Sequence, residues 1–297
     1  MRRLFGFVKK TGVQWLDDKA PRLAASLAFY TLLSLAPMLV VSVSIAGLVF
    51  GEDAARGQIA GQLNGLLGPS GADTVQTILA HAKTPSSGVI GTVVGIALAV
   101  FGASGVFGEL QTSLDLIWRV EAKPGRGIKG FLHDRVFSFT LVMGVAFLLL
   151  VSLVVSAALA TVGAYFEHTL PGGTVVWHLL NIAISICVTG VLFGLIFKVV
   201  PDVHLRWREV WRGALVTAVL FTGGKFLIGL YLGRSTVASP FGAAGSVVAL
   251  VVWIYYSAQI LFFGAELTKA DVEQRGRHVE PTPNAVPIMP AQAIVNG

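Results

Sequence analysis

Seven side chains that could do chemistry stand where the surrounding sequence is otherwise apolar: Tyr30, Ser34, Glu109, Lys225, Tyr255, Gln259 and Glu266. Their types offer recognition rather than bond breaking. The Lys225 ammonium can attract an anionic group such as a lipid phosphate, or change protonation, while the carboxylates, amide and hydroxyls can line a polar path. An ionisable group at the centre of a membrane span costs about 2.5 kcal/mol or more, so each one asks for a reason. Lys225 follows Arg212 by 13 residues, about 20 Å along a straight helix, which places it beyond direct salt-bridge reach of Glu109 or Glu266. Two readings stay open for it: its stem snorkels to the far headgroups, or it faces the bundle interior and binds an anion. Glu109 and Glu266 fall near span boundaries, where solvated or helix-capping carboxylates are common. Interhelical hydrogen bonds account for the hydroxyls and the amide about as well as a substrate does.

The elements that must position these groups follow from composition. Of the 297 residues 54% are hydrophobic and only 13% charged, and mean hydropathy is +0.74. That is too few charges to cover a soluble surface of this size. A helix needs roughly 20 apolar residues to cross a hydrocarbon core of about 30 Å, and six runs meet this, at about 23–50, 88–108, 136–166, 176–199, 213–232 and 245–265. The fold class is therefore all-α, a polytopic membrane protein with six transmembrane helices. Residues 1–22 form a basic, amphipathic N-terminal segment on the membrane surface, and 52–83 hold two short amphipathic helices outside the membrane core, divided at Gly68-Pro69-Ser70-Gly71. Residues 269–297 lack an apolar period, carry four prolines, and read as a disordered tail.

Charge sets the orientation. Of the 22 Lys and Arg, all but Arg56, Lys83, Lys225 and Arg234 lie in the N-terminal segment, the loops joining spans 2 to 3 and 4 to 5, and the tail. By the positive-inside rule both termini are cytoplasmic, in agreement with an even number of spans. Within the spans, Gly91-Thr92-Val93-Val94-Gly95 and Gly190-Val191-Leu192-Phe193-Gly194 have the GxxxG spacing that lets helix backbones approach. Pro37 predicts a kink in span 1, with Ser34 at hand for a freed backbone group. That kink either only aids packing or interrupts the helix beside a cavity, as in transporters.

Three stretches carry a family resemblance. Pro240-Phe241-Gly242, Gly245-Ser246, Trp253 to Ile260 and Phe263-Gly264-Ala265-Glu266 resemble the last span of the YihY/BrkB family of bacterial inner-membrane proteins, and Ala24 to Tyr30 with Ser34 to Pro37 resemble its first. Ser113-Leu114-Asp115-Leu116-Ile117-Trp118 is similar to the segment after its second span, where the family often has Asn in place of Asp115. The resemblance implies a structural role for Pro37, Pro240, Gly242, Gly245 and Gly264. It also implies an envelope-related activity, for which lipid or lipopolysaccharide-precursor export has been proposed in the family.

Several function classes are excluded or weakened. There is no GxxxxGK[ST] phosphate loop, no HExxH, and no paired carboxylates at ligand spacing, so neither a metal site nor a cofactor is expected. A ribonuclease label has been attached to this family, but the six scattered histidines supply no metal set or acid–base pair for it. Cys187, alone in an apolar run, is read as packing. The expectation is a non-enzymatic transporter or translocase of an amphiphilic, anionic or lipid-like envelope substrate. Its partners are the bilayer and anionic headgroups at the inner surface, with no nucleic acid. The alternative is a scaffold for envelope proteins, working through 52–83 and the basic loops.

Overall fold

The computed structural model describes residues 2–50, 57, 105–124, 173–234, 245–277 and 279–288. Among these are six helices: α1 (Arg2–Asp17), α2 (Ala20–Phe50), α3 (105–117), α4 (Gly173–Val199), α5 (Trp207–Arg234) and α6 (Gly245–Gln274). Two short strands, β1 (Val120–Ala122) and β2 (Ala285–Pro287), pair antiparallel with Glu121 opposite Val286. Stretches Ile182–Val199 and Val247–Gln274 are each long and apolar enough to cross a membrane. The external segment expected at 52–83, apart from helical Gly57, lies outside the described residues, as do span 3, most of span 2, Pro240 and Gly242.

Helix ends explain the boundaries. Lys19 and Arg119 adopt the left-handed conformation, φ 56° and 59°, just after α1 and α3, which stops each helix with a tight turn. α6 ends at Gly276, φ 68°, where the Arg277 N–H reaches back to the Val272 carbonyl at 3.4 Å. That is the glycine-closed end that satisfies last-turn carbonyls. α2 continues as one helix through Pro37. Ser34 does not serve the carbonyl that Pro37 leaves free: its hydroxyl donates to the Tyr30 carbonyl at 2.7 Å and the Thr31 carbonyl at 3.3 Å.

The chain divides into two compact units, one of Met1–Thr11, Leu114–Thr222 and Gly264–Gly297, the other of Gly12–Ser113 and Gly223–Phe263. In the first, the two glycines of the α4 GxxxG let α5 approach: Gly190 faces Leu215 and Ala218, and Gly194 faces Ala214, Trp211 and Trp207. Phe193 stands edge-on to Phe221 at 5.6 Å and stacks with Phe197 at 6.1 Å. Leu114, Ile117, Phe197, Val210 and Val272 are its fully buried apolar side chains of any size. In the second, Ala20, Ala24, Ala28, Leu250 and Phe262 are buried, whereas Phe29, Leu33 and Leu227 are exposed. Apolar side chains that large and that open face lipid in a membrane protein rather than water.

The segment read as a disordered tail has structure over part of its length: α6 runs past residue 269 to Gln274, and 279–288 include strand β2, while 278 and 289–297 lie outside the described residues. Composition was misleading here because the order comes from partners distant in sequence. Thr282 donates through its N–H to the Asp202 carbonyl at 2.9 Å and through its hydroxyl to the Asp202 carboxylate at 3.1 Å. His204 N–H reaches the Glu280 carbonyl at 2.9 Å, and Lys123 Nζ the Pro283 carbonyl at 2.8 Å. Asp202 is in turn fixed by buried Asp115, whose carboxylate accepts its N–H at 2.7 Å. Asp115→Asn keeps that acceptor and is expected to leave stability nearly unchanged, consistent with the Asn common in the resembled family. Asp115→Ala orphans the Asp202 N–H and should cost about 1–3 kcal/mol. Unfolding of the two variants in detergent checks this, and equal losses would remove the hydrogen bond as the reason.

Candidate functional site

The seven sequence-selected residues divide between the two units. Tyr30, Ser34, Glu109, Lys225, Tyr255 and Gln259 belong to one, Glu266 to the other. Tyr30 is 41% exposed on α2. Its ring lies 3.5 Å from the position of a Cβ on Gly105, on the helix that bears Glu109 one turn later. Ser34 is buried with its hydroxyl satisfied by its own helix. Ser257 likewise donates to the Trp253 carbonyl at 2.9 Å. These two hydroxyls are therefore occupied as donors, which weakens their part in a polar lining.

Lys225 is half-buried on α5, and the residue before it shows what faces that helix. A Cβ on Gly224 would fall 2.5 Å from Tyr256 Cε1 and Oη, so the hydroxyl end of the Tyr256 phenol sits against the glycine. The sequence reading selected Tyr255; the close contact is made by Tyr256. Helix pairing thus brings Lys225 to the level of Tyr255 and Tyr256, with half-buried Gln259 one turn further along α6. Among the described residues Lys225 has no carboxylate within 4 Å.

Glu266 is 0% exposed. Its carboxylate lies 3.8 Å from Lys269 Nζ, whose side chain is 9% exposed. Lys269 was expected in the tail. Because α6 continues, the two stand three residues apart on one helix face, where such pairs meet. α6 also makes a contact that the sequence reading missed. Gly213 and Thr217 on α5 face Thr268 and Gly264 on α6: a Cβ on Gly213 would meet Thr268 Oγ1 at 1.9 Å, and one on Gly264 would meet Thr217 Oγ1 at 1.8 Å. Each threonine hydroxyl donates to the glycine carbonyl four residues earlier in its own helix, Thr217 to Gly213 at 2.7 Å and Thr268 to Gly264 at 2.8 Å. Two identical Gly-x-x-x-Thr steps therefore interlock head to tail. The repeated spacing was the available signal.

No group of three or more His, Cys, Asp or Glu among the described residues is placed to hold a metal ion. The model of the virulence factor BrkB family matches residues 12–288. The chain belongs to the BrkB family. Its relatives are named UPF0761 membrane proteins. That of Pseudomonas paraeruginosa is 28% identical over 267 residues, covering 88% of this chain and 61% of the relative. Those of Ralstonia nicotianae and Pseudoalteromonas translucida are 29% and 28% identical over 255 residues, covering 84% and 85% of this chain and 55% and 81% of the relatives. The chain spans about three fifths of the length of the first of these. No solved structure matches it significantly. As a BrkB-family chain with apolar helices of spanning length, the protein is an integral membrane protein.

Proposed function

We propose that this BrkB-family protein is a carrier, not an enzyme, which moves an amphiphilic anionic or lipid-like envelope substrate across the bacterial inner membrane. It spans the membrane six times with both termini in the cytoplasm, the orientation that the Lys and Arg distribution favours. One observation carries the reading: half-buried Lys225, without a carboxylate partner among the described residues, level with Tyr255 and Tyr256 on a helix of spanning length. A cation kept in such a place at the cost of desolvation suits an anionic group that passes by. Gln259, Tyr30 and Glu109 are further polar groups of that unit. Glu266 is sealed from solvent and belongs to the other unit.

The test is transbilayer movement of a labelled anionic lipid in proteoliposomes. The wild type should accelerate movement over empty vesicles. Lys225→Ala should slow it about fivefold or more, as expected from losing one charge contact of about 1 kcal/mol, and Lys225→Arg should retain it. A wild type no faster than empty vesicles, with and without a proton gradient, would remove the carrier reading and favour a scaffold for envelope proteins.

A further inference from the structure

The start of α5 presents a second group of side chains, separate from Lys225. Its first two turns read Trp207-Arg208-Glu209-Val210-Trp211-Arg212. Val210 and Glu209 turn inward and are buried. The Glu209 carboxylate is fully used, accepting the Arg206 N–H at 2.7 Å and pairing with Arg277. This is the third-residue glutamate that closes a helix start. The two tryptophans lie toward α4. Both indoles rest on the Gly194 position of α4, 3.8 and 3.9 Å from where its Cβ would be, yet Trp207 stays 52% and Trp211 38% exposed.

Three cations belong to the same two helix ends. Arg206 and Arg208 are exposed, and Lys198 sits one turn beyond Gly194 on the same face of α4. None of the three side chains has an ion-pair partner among the described residues. Arg212 differs, standing 3.7 Å from Asp271. Among the described acidic groups near these helix ends, Glu209 is engaged by Arg277, Asp271 by Arg212 and Arg275, and the Asp202 carboxylate accepts the Thr282 hydroxyl. What remains is a pair of half-open indoles seated on a glycine, rimmed by three unbalanced positive charges, at the end of a membrane-capable helix.

We propose that Lys198, Arg206, Arg208, Trp207 and Trp211 form a binding site for one anionic phospholipid of the surrounding bilayer. The phosphate sits among the three cations, and the indoles pack on the glycerol and upper acyl region, the depth that tryptophan favours. Charge complementarity selects the occupant: a zwitterionic lipid brings its own cation to a site that already has a surplus. The site deepens the carrier reading by giving the substrate's headgroup a docking point, and it rests on that reading only in placing these helix ends at a bilayer surface. Binding can be measured without any transport.

The experiment titrates the full-length protein, in uncharged detergent, with acyl-chain-labelled phosphatidylglycerol and, separately, phosphatidylcholine. The wild type should prefer phosphatidylglycerol. At about fivefold per charge, Lys198→Gln/Arg208→Gln should weaken it about thirtyfold, and Trp207→Ala/Trp211→Ala should weaken both lipids. Arg208→Gln alone, at an exposed position, keeps the test open should the double variant misfold, with about a fivefold loss expected. The control Lys9→Gln/Lys19→Gln removes the same charge at exposed positions outside these helix ends and should change affinity less than twofold. Equal binding of the two lipids by the wild type, or an equal loss in the control, would overturn the site. A bound lipid without transport would leave the site standing and remove the carrier reading.

Discussion

Replacing Gly264 by alanine is expected to cost this protein about 1–3 kcal/mol of stability or more, and replacing it by valine to leave little folded protein. An alanine Cβ would lie 1.8 Å from Thr217 Oγ1, 2.9 Å from Thr217 Cβ and 3.0 Å from Phe197 Cζ. The first contact cannot be relieved freely, because that hydroxyl is held by the Gly213 carbonyl at 2.7 Å; the second involves a backbone-anchored carbon. The helices must separate, and separating them loosens the reciprocal step, where Thr268 covers Gly213. Gly223→Ala is the control. Nothing lies within 4 Å of its Cβ position, so alanine there should be neutral or add up to about 1 kcal/mol through helix propensity. Pairing Gly264→Ala with Thr217→Gly should recover part of the loss, since the bulk has moved across the interface. Unfolding in mixed micelles reads all four proteins. Gly264→Ala matching Gly223→Ala in stability would show that the two helices are not closely packed in solution.

The same interlock changes how movement can be pictured. Small residues between helices let the backbones approach, but here each threonine fills the gap over the opposing glycine, and a slip along the helix drives it into the next side chain. At this level α5 and α6 resist sliding, as packed interfaces with discrete fits do. A carrier built on them would have to move elsewhere in the chain or part the pair as a whole.

What the sequence made legible was whatever depended on local composition. Apolar runs marked α2, α4, α5 and α6, although α5 begins at Trp207 and α6 ends at Gln274, several residues beyond the runs, because charged turns such as Trp207-Arg208-Glu209 and Lys269-Ala270-Asp271 continue the helix once their neighbours are buried. The Gly190/Gly194 spacing marked a helix contact, and that contact is present. Long-range pairing stayed hidden. Nothing near Pro283 says that Lys123 will hold its carbonyl, or that Val120–Ala122 will pair with Ala285–Pro287. Prolines there suggested disorder, yet a two-stranded sheet is all edge and tolerates Pro287. The polar candidates fared unevenly for the same reason. Tyr256 and Tyr255 are indistinguishable in sequence, and only the opposing helix selects the one that crosses Gly224.

The buried ion pair gives the second large effect, and its sign pattern separates pairing from mere burial. Lys269→Met removes the charge 3.8 Å from the Glu266 carboxylate while that carboxylate stays 0% exposed. Removing one partner of a buried pair costs about 3–5 kcal/mol. Glu266→Gln should cost less, because the ammonium it leaves sits on a long stem and can shift toward polar surroundings. The double variant Glu266→Gln/Lys269→Met deletes both charges, and exchange of a buried pair for neutral groups of similar volume is often neutral or stabilising. It should therefore be more stable than Lys269→Met alone. A double-mutant cycle on unfolding free energies should return a coupling of about 1–3 kcal/mol between the two positions. Additive losses, or a double variant less stable than Lys269→Met, would mean that Glu266 is held by its packing and not by Lys269.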